Sequence, residues 1–345
     1  METETSRTIL IGLAGFGYMG QQRLRALNSI IEEDKKRMEV VGIFDPSYPN
    51  VDSNKEFRNV KFLTSFEELL TKKPNWIIIA TPHNVALPLC KKALSKDIKV
   101  FMEKPLGRNY DEACNLISAQ KYDNQLWVGF NYRFFDGIGE LIKDIKSNLF
   151  GSLISINITM GHGGEPGYEN SWKVGSIESG GGVLINEGIH LLDLCLILAG
   201  KDVKVESGLS YSGFWGTGFD EECHIMLRSE TVPLINLQIS IVKWRSTFRI
   251  EVYGKEGYGI VEGRGRSYGI QHYKRGKKWG WRSGKAQSET EEVVCQDDGS
   301  EVFKKELIEV FSQPNSNSIK PCSAKSAIDT MKLFSECRKK IKILN

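Results

Sequence analysis

A G-x-G-x-x-G motif stands near the N-terminus, in Gly15-Phe16-Gly17-Tyr18-Met19-Gly20. It follows a short apolar run and opens an amphipathic stretch. The first two glycines allow a tight turn and a close backbone approach to a pyrophosphate, and the third lets a helix pack on a strand. Free N–H groups at a helix N-terminus favour the same anion. The motif therefore predicts a dinucleotide site, with a glycine-rich turn that binds no ligand as the alternative.

Asp45 ends the second apolar run, in Gly42-Ile43-Phe44-Asp45. An acid at this place is expected to accept hydrogen bonds from the hydroxyls of an adenosine ribose. Because a carboxylate repels a 2′-phosphate, Asp45 favours NAD over NADP as cofactor. The alternative is that Asp45 only caps the turn made with Pro46 and Ser47, as Asp often does before Pro.

The first 130 residues alternate between short β-branched runs and amphipathic stretches. The predicted strands are Thr8 to Ala14, Glu39 to Phe44, Trp76 to Ala80, Ile98 to Met102 and Leu126 to Phe130. The predicted helices include Gln21 to Asp34, Val85 to Ser95 and Asp111 to Lys121. Apolar residues at consecutive positions, as in Ile77-Ile78-Ile79, are expected where helices cover both faces of a parallel sheet. This rhythm predicts an α/β, doubly wound N-terminal domain.

After a further helix, Gly137 to Lys146, the sequence turns to longer alternating strands separated by turns rich in Gly and Ser. These strands are Leu153 to Met160, Val203 to Tyr211, Cys223 to Leu227, Pro233 to Ile241 and Phe248 to Tyr253. Three more helices are predicted: Gly182 to Ala199, Ser300 to Phe311 and Ala324 to Ile341. The pattern predicts a second α/β domain with a largely antiparallel open sheet.

Several motifs, taken in order, resemble the Gfo/Idh/MocA family of sugar and inositol oxidoreductases. The resemblance runs from Thr8 to the final helix. It rests on Ala80-Thr81-Pro82, Glu103-Lys104-Pro105, Gly129 to Phe134, Gly161 to Gly164, Gly180-Gly181-Gly182 through His190, and Lys243-Trp244-Arg245. It implies a Rossmann domain over residues 1–131 and a substrate-binding, oligomerising domain over 132–345, whose C-terminal helix is able to pack back on the first domain.

The resemblance also implies site residues. The cofactor site would comprise Gly15, Phe16, Gly17, Tyr18, Met19, Gly20, Asp45, Thr81, Pro82, Glu103, Lys104 and Asn131. Lys104 matches the family lysine, and its bond to Pro105 is commonly cis in the family. Oxidation of a sugar alcohol needs a proton acceptor at the hydroxyl while hydride leaves the same carbon, and a lysine suits that role. A solvated lysine at a strand end is the alternative.

His190 is the second acid–base candidate. It stands four residues after Asn186 on a predicted helix, so both side chains share one face. The family often has Asp at the position of Asn186, and the amide leaves proton transfer to Lys104 and His190. Asp193 could orient the imidazole or form a simple packing pair. The alternative for His190 is a buried histidine with a structural role.

Further residues are candidates for substrate binding. Arg133 could hold a phosphate or carboxylate and Tyr132 a hydroxyl. A Gly-rich segment adds aromatic and polar groups of the kind that sugar sites use. Its candidates are His162, Tyr168, Asn170, Trp172 and Lys173, and Asn186 and His190 complete the substrate set. Packing at the domain junction is the competing interpretation for each of them.

Residues 264–288 contain eight basic residues and no acid, with aromatic residues between them. The basic residues are Arg264, Arg266, Lys274, Arg275, Lys277, Lys278, Arg282 and Lys285. A solvated loop balanced by the acids that follow is the favoured interpretation. A site for the diphosphate of a nucleotide sugar comes next, and nucleic-acid binding comes last because no nucleic-acid motif accompanies the segment.

The overall composition sets limits on function. The chain has 345 residues, 46 Lys and Arg against 43 Asp and Glu, and a net charge of +3, which does not favour nucleic-acid or membrane partners. Seven cysteines without a C-x-x-C pair predict free thiols, no metal site and a cytoplasmic location. The most apolar stretch, Ile185 to Ala199, is too short and too polar to span a membrane. No signal-peptide pattern opens the sequence.

Two function classes follow from these observations. The first is an NAD-dependent oxidoreductase that transfers hydride between nicotinamide and a secondary hydroxyl or ketone of a sugar, cyclitol or nucleotide sugar. It would work as a homodimer or homotetramer formed through the C-terminal sheet, and it could keep its NAD bound between two substrates. The second is a catalytically silent dinucleotide-binding sensor or scaffold. Asn186 is the one residue that favours this class.

Overall fold

The chain forms two compact units. The computed structural model describes residues 8–34, 38–47, 60–171, 178–278, 291–311 and 319–344. Unit 1 comprises residues 1–130 and 303–328, and unit 2 comprises residues 131–302 and 329–345. The first boundary lies one residue before the expected one, and residues 303–328, which include the start of the last helix, belong to unit 1.

Unit 1 is built on a seven-stranded sheet. Ile77, Ile78 and Ile79 are fully buried, as expected of a strand covered on both faces. The strands are β1 (Ile9–Ala14), β2 (Met38–Phe44), β3 (Phe62–Leu63), β4 (Trp76–Ile79), β5 (Lys99–Glu103), β6 (Leu126–Gly129) and β15 (Cys322–Ser323). They lie in the order β15-β6-β5-β4-β1-β2-β3. All neighbours are parallel except β15, which runs antiparallel to β6.

Four of the described helices of unit 1 lie between successive strands along the chain, and another precedes β15. They are α1 (Tyr18–Asp34), α2 (Phe66–Thr71), α3 (His83–Ser95), α4 (Tyr110–Ala119) and, from the far end of the chain, α7 (Val302–Phe311). α2 and α4 begin at side-chain caps, where Ser65 and Asn109 accept the N–H of the residue three positions on. Leu307 and Val310 of α7 are buried in the core with Trp76, which meets Phe311 edge to face.

Unit 2 is built on a nine-stranded sheet. Its strands are β7 (Leu153–Gly161), β8 (Lys204–Tyr211), β9 (Glu222–Arg228), β10 (Leu234–Ser240), β11 (Thr247–Gly254), β12 (Gly257–Glu262), β13 (Gln271–Lys277), β14 (Glu292–Asp297) and β16 (Ile341–Leu344). They lie in the order β14-β13-β12-β11-β7-β10-β9-β8-β16. Only the pairs β7–β10 and β8–β16 are parallel. Alternate residues of β9 are buried, which is typical of a sheet with one covered face. The expected fold class is confirmed.

The helices of unit 2 include α5 (Asp136–Lys146) and α6 (Ile189–Ala199); the last helix of the chain, α8 (Ala324–Lys340), starts in unit 1 and ends in unit 2. The predicted helix from Gly182 to Ala199 is wrong in part, because Leu184–Gly188 forms a wider π-helical turn before α6. The predicted end of the last helix at Ile341 also needs correction, since that residue opens β16. No helix in the described ranges is both long and apolar enough to cross a bilayer.

Candidate functional site

The turn between β1 and α1 requires glycine at two of its three motif positions. Gly15 has φ +93°, and a Cβ there would lie 2.5 Å from the carbonyl oxygen of Ala80. A Cβ on Gly20 would lie 2.1 Å from the carbonyl oxygen of Gly15. Both distances are far below van der Waals contact, so these two glycines are demanded by the packing of α1 against the strands.

Gly17 differs from the other two glycines. It is exposed, and a Cβ on it would meet nothing within 4 Å. The protein's own packing therefore gives no reason for glycine here, whereas close approach of a ligand does. The position precedes the first turn of α1, whose N–H groups have no partner within the helix. Gly17 and that turn form an open cradle that fits a diphosphate.

Asp45 connects the end of β2 to the glycine turn. Its Oδ2 accepts the backbone N–H of Phe16 at 2.6 Å, and its Oδ1 accepts that of Ser47 at 2.8 Å. The turn-capping interpretation is therefore part of its role. A carboxylate has about four acceptor positions, so the side chain retains capacity for ribose hydroxyls.

The flanking motif residues differ in exposure. Phe16 is buried with its ring edge to face with Phe62, so only its backbone is available to a ligand. Tyr18 is 51% exposed and Met19 is half-buried. Thr81 and Pro82 follow β4 at the start of α3, and the Thr81 methyl lies 2.9 Å from the Cβ position of Gly15.

Lys104 directly follows β5, and its peptide bond to Pro105 is cis, as the resemblance implies. The side chain is half-buried. Since the carboxyl ends of parallel strands meet at one edge of a sheet, the structure brings Lys104 to the edge that carries Gly15, Asp45 and Thr81. Every predicted cofactor residue except Asn131 belongs to unit 1 and lies at or after the carboxyl end of one of these strands.

Glu103, next to Lys104, is held by a buried arginine that the sequence analysis missed. Arg23 of α1 is fully buried between the rings of Phe101 and Phe303. Its Nε lies 2.6 Å from Glu103 Oε1 and its Nη1 lies 2.7 Å from Glu306 Oε2.

Burial opposes the charge of Arg23, yet the two carboxylates raise the pKa of its guanidinium above the usual value. Glu103 therefore anchors the strand end that carries Lys104, and its contact with a nicotinamide ribose stays a prediction. A charged residue on the apolar stripe of α1, between Gly20 and Leu27, is the sequence signal that marks Arg23.

In unit 2, three consecutive glycines precede the segment that bears Asn186 and His190. Gly180, Gly181 and Gly182 all have positive φ, from +73° to +92°. Asp220 fills the space beside them: its Oδ1 lies 2.2 Å from the Cβ position of Gly182, and its Oδ2 accepts the N–H of Leu184 at 2.7 Å. Any side chain on Gly182 would displace this carboxylate.

Arg338 holds the same turn from α8. Its Nη1 lies 3.4 Å from Asp220 Oδ1, and its Nη2 donates to the carbonyl oxygens of Gly180 and Gly181. Asp220 and Arg338 therefore fix the start of the π-helical turn that carries Asn186. Neither residue was predicted from the sequence to have a role in the site.

His190 is buried and stacks on Tyr132, with ring centroids 3.8 Å apart and 4° between the planes. Tyr132 is itself buried, its Oη lies 3.5 Å from the sulfur of Met160, and burial raises its pKa. This corrects the expectation that the Tyr132 hydroxyl binds a substrate hydroxyl, because the ring serves as a platform for the imidazole. Asn186 and Asn131 are also buried in unit 2.

Arg133 and Asp193 form a buried ion pair. Arg133 Nε donates to Asp193 Oδ2 at 2.7 Å, Nη2 donates to Oδ1, and Thr330 Oγ1 lies 3.4 Å from Oδ1. The expectation that Arg133 holds a substrate anion is corrected, because Asp193 already neutralises its charge. Asp193 takes the packing role that was its alternative.

The Gly-rich segment after β7 brings two of its candidates together. His162 Nδ1 accepts the N–H of Gly164 at 3.0 Å, and its ring meets Tyr168 edge to face. Burial raises the pKa of Tyr168, whose ring also packs on Trp215. Asn170 is exposed at the end of a short 3₁₀ turn. Trp172 and Lys173 lie outside the described residues.

Several of the described basic residues after Gly263 pair with acids. Arg275 pairs with Asp144 and Glu292, and Lys278 pairs with Glu256. This favours the interpretation of a charge-balanced surface segment; residues 279–290 lie outside the described residues. Arg264 differs, because its guanidinium carbon lies 4.7 Å from the Tyr132 ring centroid and 4.2 Å from that of Tyr268.

The sequence is similar to those of known proteins. The E. coli (strain K12) 2,7-anhydro-N-acetylneuraminate hydratase is 26% identical over 264 residues, 73% of this chain and 64% of its own. The Bacillus subtilis (strain 168) glucose-6-phosphate 3-dehydrogenase is 26% identical over 200 residues, 57% of this chain and 55% of its own. The chain thus spans less than two thirds of the length of these relatives.

Solved structures agree with the fold. A levoglucosan dehydrogenase in complex with NADH and levoglucosan superposes with a TM-score of 0.81 at 16% identity, covering 97% of each chain. Residues 9–130 match the oxidoreductase family with an NAD-binding Rossmann fold, and residues 140–259 match the GFO/IDH/MocA C-terminal domain. The two matches cover most of the chain, and the protein belongs to the Gfo/Idh/MocA family of oxidoreductases.

Proposed function

We propose that the protein is an NAD-dependent oxidoreductase that transfers hydride between nicotinamide and a secondary hydroxyl or ketone of a sugar, cyclitol or nucleotide sugar. The observation that carries the proposal is the open position at Gly17 between two glycines that packing demands. The names of the relatives support the substrate class, since a sugar phosphate dehydrogenase and an inositol 2-dehydrogenase are among them.

Unit 1 holds the cofactor in this proposal. The backbone of Gly15 to Gly20 cradles the diphosphate at the start of α1, and Asp45 accepts hydrogen bonds from the adenosine ribose. The carboxylate disfavours a 2′-phosphate, so NAD is preferred to NADP. Thr81 and Pro82 line the same sheet edge. Bound NAD supplies the hydride acceptor in oxidation and the hydride donor in reduction.

Lys104 and His190 are the proposed acid–base residues for the proton of the reacting hydroxyl. The Lys104 amine accepts the proton of the reacting hydroxyl in oxidation and returns it in reduction. His190, fixed by its stack on Tyr132, donates or accepts a hydrogen bond at a substrate oxygen. The Asn186 amide orients a neighbouring hydroxyl without taking its proton. His162 and Tyr168 are proposed contacts for further hydroxyls, and Trp172 and Lys173 are proposed from the sequence alone.

The protein's assembly and location are proposed from two further observations. A homodimer or homotetramer through the C-terminal sheet is supported by apolar side chains exposed on its strands, among them Leu209, Tyr211, Met226 and Leu234. A cytoplasmic location is supported by the seven free cysteines, which suit a reducing compartment.

A hydride-transfer screen tests the proposed function. Wild-type protein is incubated with NAD or NADP and a panel of sugars, sugar phosphates, cyclitols and nucleotide sugars, and the formation of reduced cofactor is followed by its absorbance. We expect turnover with at least one member and a preference for NAD. Tight NADH binding without turnover of any member would instead favour the silent sensor that Asn186 suggests. A preference for NADP would contradict the role of Asp45.

A further inference from the structure

The arginines of unit 2 differ in what neutralises them. Five of them meet a carboxylate within ion-pair distance: Arg133 with Asp193, Arg228 with Glu206, Arg249 with Glu251, Arg275 with Asp144 and Arg338 with Asp220. Arg264 does not follow this pattern. Within the described ranges, its guanidinium has no carboxylate at ion-pair distance and lies between the rings of Tyr132 and Tyr268.

The polar edge of Arg264 is incompletely satisfied. Its Nε is buried and has no hydrogen-bond partner among the described residues, and the Tyr268 hydroxyl is the side-chain partner of the guanidinium. Burial opposes the charge, but Tyr132, Tyr268 and the more distant Glu187 raise the pKa of Arg264, so the side chain stays cationic. A buried cation without a close counter-charge is costly unless a partner arrives.

Arg264 lies near His190, the candidate catalytic histidine, because both side chains contact Tyr132. The imidazole of His190 lies parallel to Tyr132 at 3.8 Å, and the guanidinium carbon lies 4.7 Å from the same centroid. The Arg264 cation and the imidazole therefore both pack against the Tyr132 ring. A group bound at Arg264 is close enough to belong to a substrate that also reaches His190.

We propose that Arg264 is a substrate-binding residue that recognises an oxyanion, a carboxylate or phosphate, on the sugar. This inference rests on the proposed function. The planar guanidinium presents parallel N–H groups that match two oxygens of such an anion. Because two tyrosine rings pack against the guanidinium, its N–H edge is the part left to bind a ligand. The sequence suggested Arg133 as the residue that binds a substrate anion. We assign that role to Arg264, because Asp193 neutralises Arg133 and does not neutralise Arg264.

The charge of Glu187 predicts the direction in which its substitution changes the affinity for an anionic sugar. Its carboxylate acts on Arg264, Tyr132 and Tyr168 at longer range. A negative charge there repels an anion bound at Arg264, whereas it would help to hold the hydroxyls of a neutral sugar. Glu187→Gln should therefore tighten the binding of an anionic sugar. A site that recognises a neutral polyol between Arg264 and Glu187 would show the opposite change.

Three probes that differ only at the sixth carbon test the proposal: glucose, glucuronate and glucose 6-phosphate. Their Kd values are measured by titration calorimetry on the full chain saturated with NADH. The variants are Arg264→Gln, Arg264→Lys, Glu187→Gln and the control Arg228→Gln, which removes the same charge from an exposed pair. Thermal melts establish that each variant is folded. Arg264→Lys keeps the cation and covers the case in which Arg264→Gln fails to fold.

We expect an anionic probe to bind wild type about tenfold or more tightly than glucose, because a charge-assisted hydrogen bond contributes at that level. Arg264→Gln should abolish this preference, Arg264→Lys should keep part of it, and Arg228→Gln should leave it unchanged. Which anion binds more tightly identifies the source as carboxylate or phosphate.

Other results would overturn the proposal. The first is that wild type binds all three probes with equal affinity, or binds neither anion. The second is that Arg264→Gln loses as much affinity for glucose as for the anions. The third is that Glu187→Gln binds the anions more weakly than wild type does. Probe affinity needs no turnover. Failure of hydride transfer would count against the proposed function, and loss of the anion preference would count against the role of Arg264.

Discussion

At the residue scale, Asp45 performs two tasks that are usually considered separately. Its carboxylate fixes the backbone of Phe16 and Ser47, and it faces the place proposed for the adenosine ribose. A substitution that removes the side chain therefore changes the glycine turn as well as the preference between cofactors. A variant that keeps one acceptor oxygen can separate the two effects.

We expect Asp45→Asn and Asp45→Ala to differ. The amide oxygen of Asn can still accept the N–H of Phe16 while the negative charge is lost, so NADH should bind within a few-fold of wild type and NADPH should gain affinity. Asp45→Ala should weaken both cofactors, since the turn loses its anchor, by about tenfold for one hydrogen bond to a charged group. Fluorescence titration with each nucleotide measures both effects. Identical profiles for the two variants would contradict this account.

The ion pair of Arg133 and Asp193 should be a main contributor to the stability of unit 2. Arg133→Met leaves a buried carboxylate without its partner, which typically costs about 3–5 kcal/mol. Arg228→Met breaks an exposed pair and should cost at most about 1 kcal/mol. Urea unfolding of the full chain measures the difference. Equal losses in the two variants would show that Arg133 is not the buried partner described.

Residue roles were only partly predictable from the sequence. Glycine spacing reflects backbone needs that are local, so the turn before α1 was predicted with its strand and helix. Arg133, by contrast, pairs with a residue 60 positions away. The sequence around Tyr132 and Arg133 does not indicate that the Tyr132 ring stacks on His190. Nor does it indicate that Asp193 neutralises Arg133. Pairing across long separations is decided by the fold, and two of the predicted substrate contacts were wrong for that reason.

At the scale of elements, the turn from β1 to α1 allows a matched pair of substitutions. Gly17→Ala meets no atom, so stability should change by less than about 0.5 kcal/mol while NADH affinity falls about tenfold or more, because the new Cβ occupies the space of the diphosphate. Gly20→Ala forces a Cβ against a carbonyl oxygen and should cost about 2 kcal/mol or more.

Thermal melts and NADH titrations of both variants provide the test. Unchanged NADH affinity in Gly17→Ala would mean that no diphosphate approaches the turn. Unchanged stability in Gly20→Ala would contradict the close packing of α1 on the strands.

The elements were predicted best where one pattern dominates. The continuous apolar runs of β1, β4 and β5 and the alternating strands β7 to β11 were predicted close to their bounds. The π-helical turn at Leu184–Gly188 was not, because its apolar residues fit an α-helix equally well. The short edge strands β3, β15 and β16 are too brief for a pattern to show.

At the scale of the whole molecule, unit 1 depends on a helix from near the end of the chain. α7 contributes Leu307 and Val310 to the core and Glu306 to the buried charge of Arg23. The sequence places the first domain boundary near residue 131, but it carries no local sign that residues 303–328 return to unit 1. Discontinuous domains are established by tertiary contacts, which single-sequence patterns do not contain.

We expect a fragment of residues 1–131 to be much less stable than unit 1 in the intact protein. Loss of two buried aliphatic side chains alone should cost about 3 kcal/mol or more. Fusing residues 300–328 to the fragment through a flexible Gly/Ser linker should restore most of that loss. Urea midpoints of the two fragments measure the effect. Equal midpoints would show that α7 does not belong to the core of unit 1.

The central claim is that Lys104 moves the proton when hydride is transferred to or from NAD. Once the screen has identified a substrate, the most direct measurement compares kcat/KM and the NADH Kd of wild type, Lys104→Met and Lys99→Met, the last removing an exposed lysine from the other end of β5. We predict that Lys104→Met lowers kcat/KM by about 10²–10⁴-fold with the NADH Kd nearly unchanged, while Lys99→Met resembles wild type. Full activity in Lys104→Met would contradict the account.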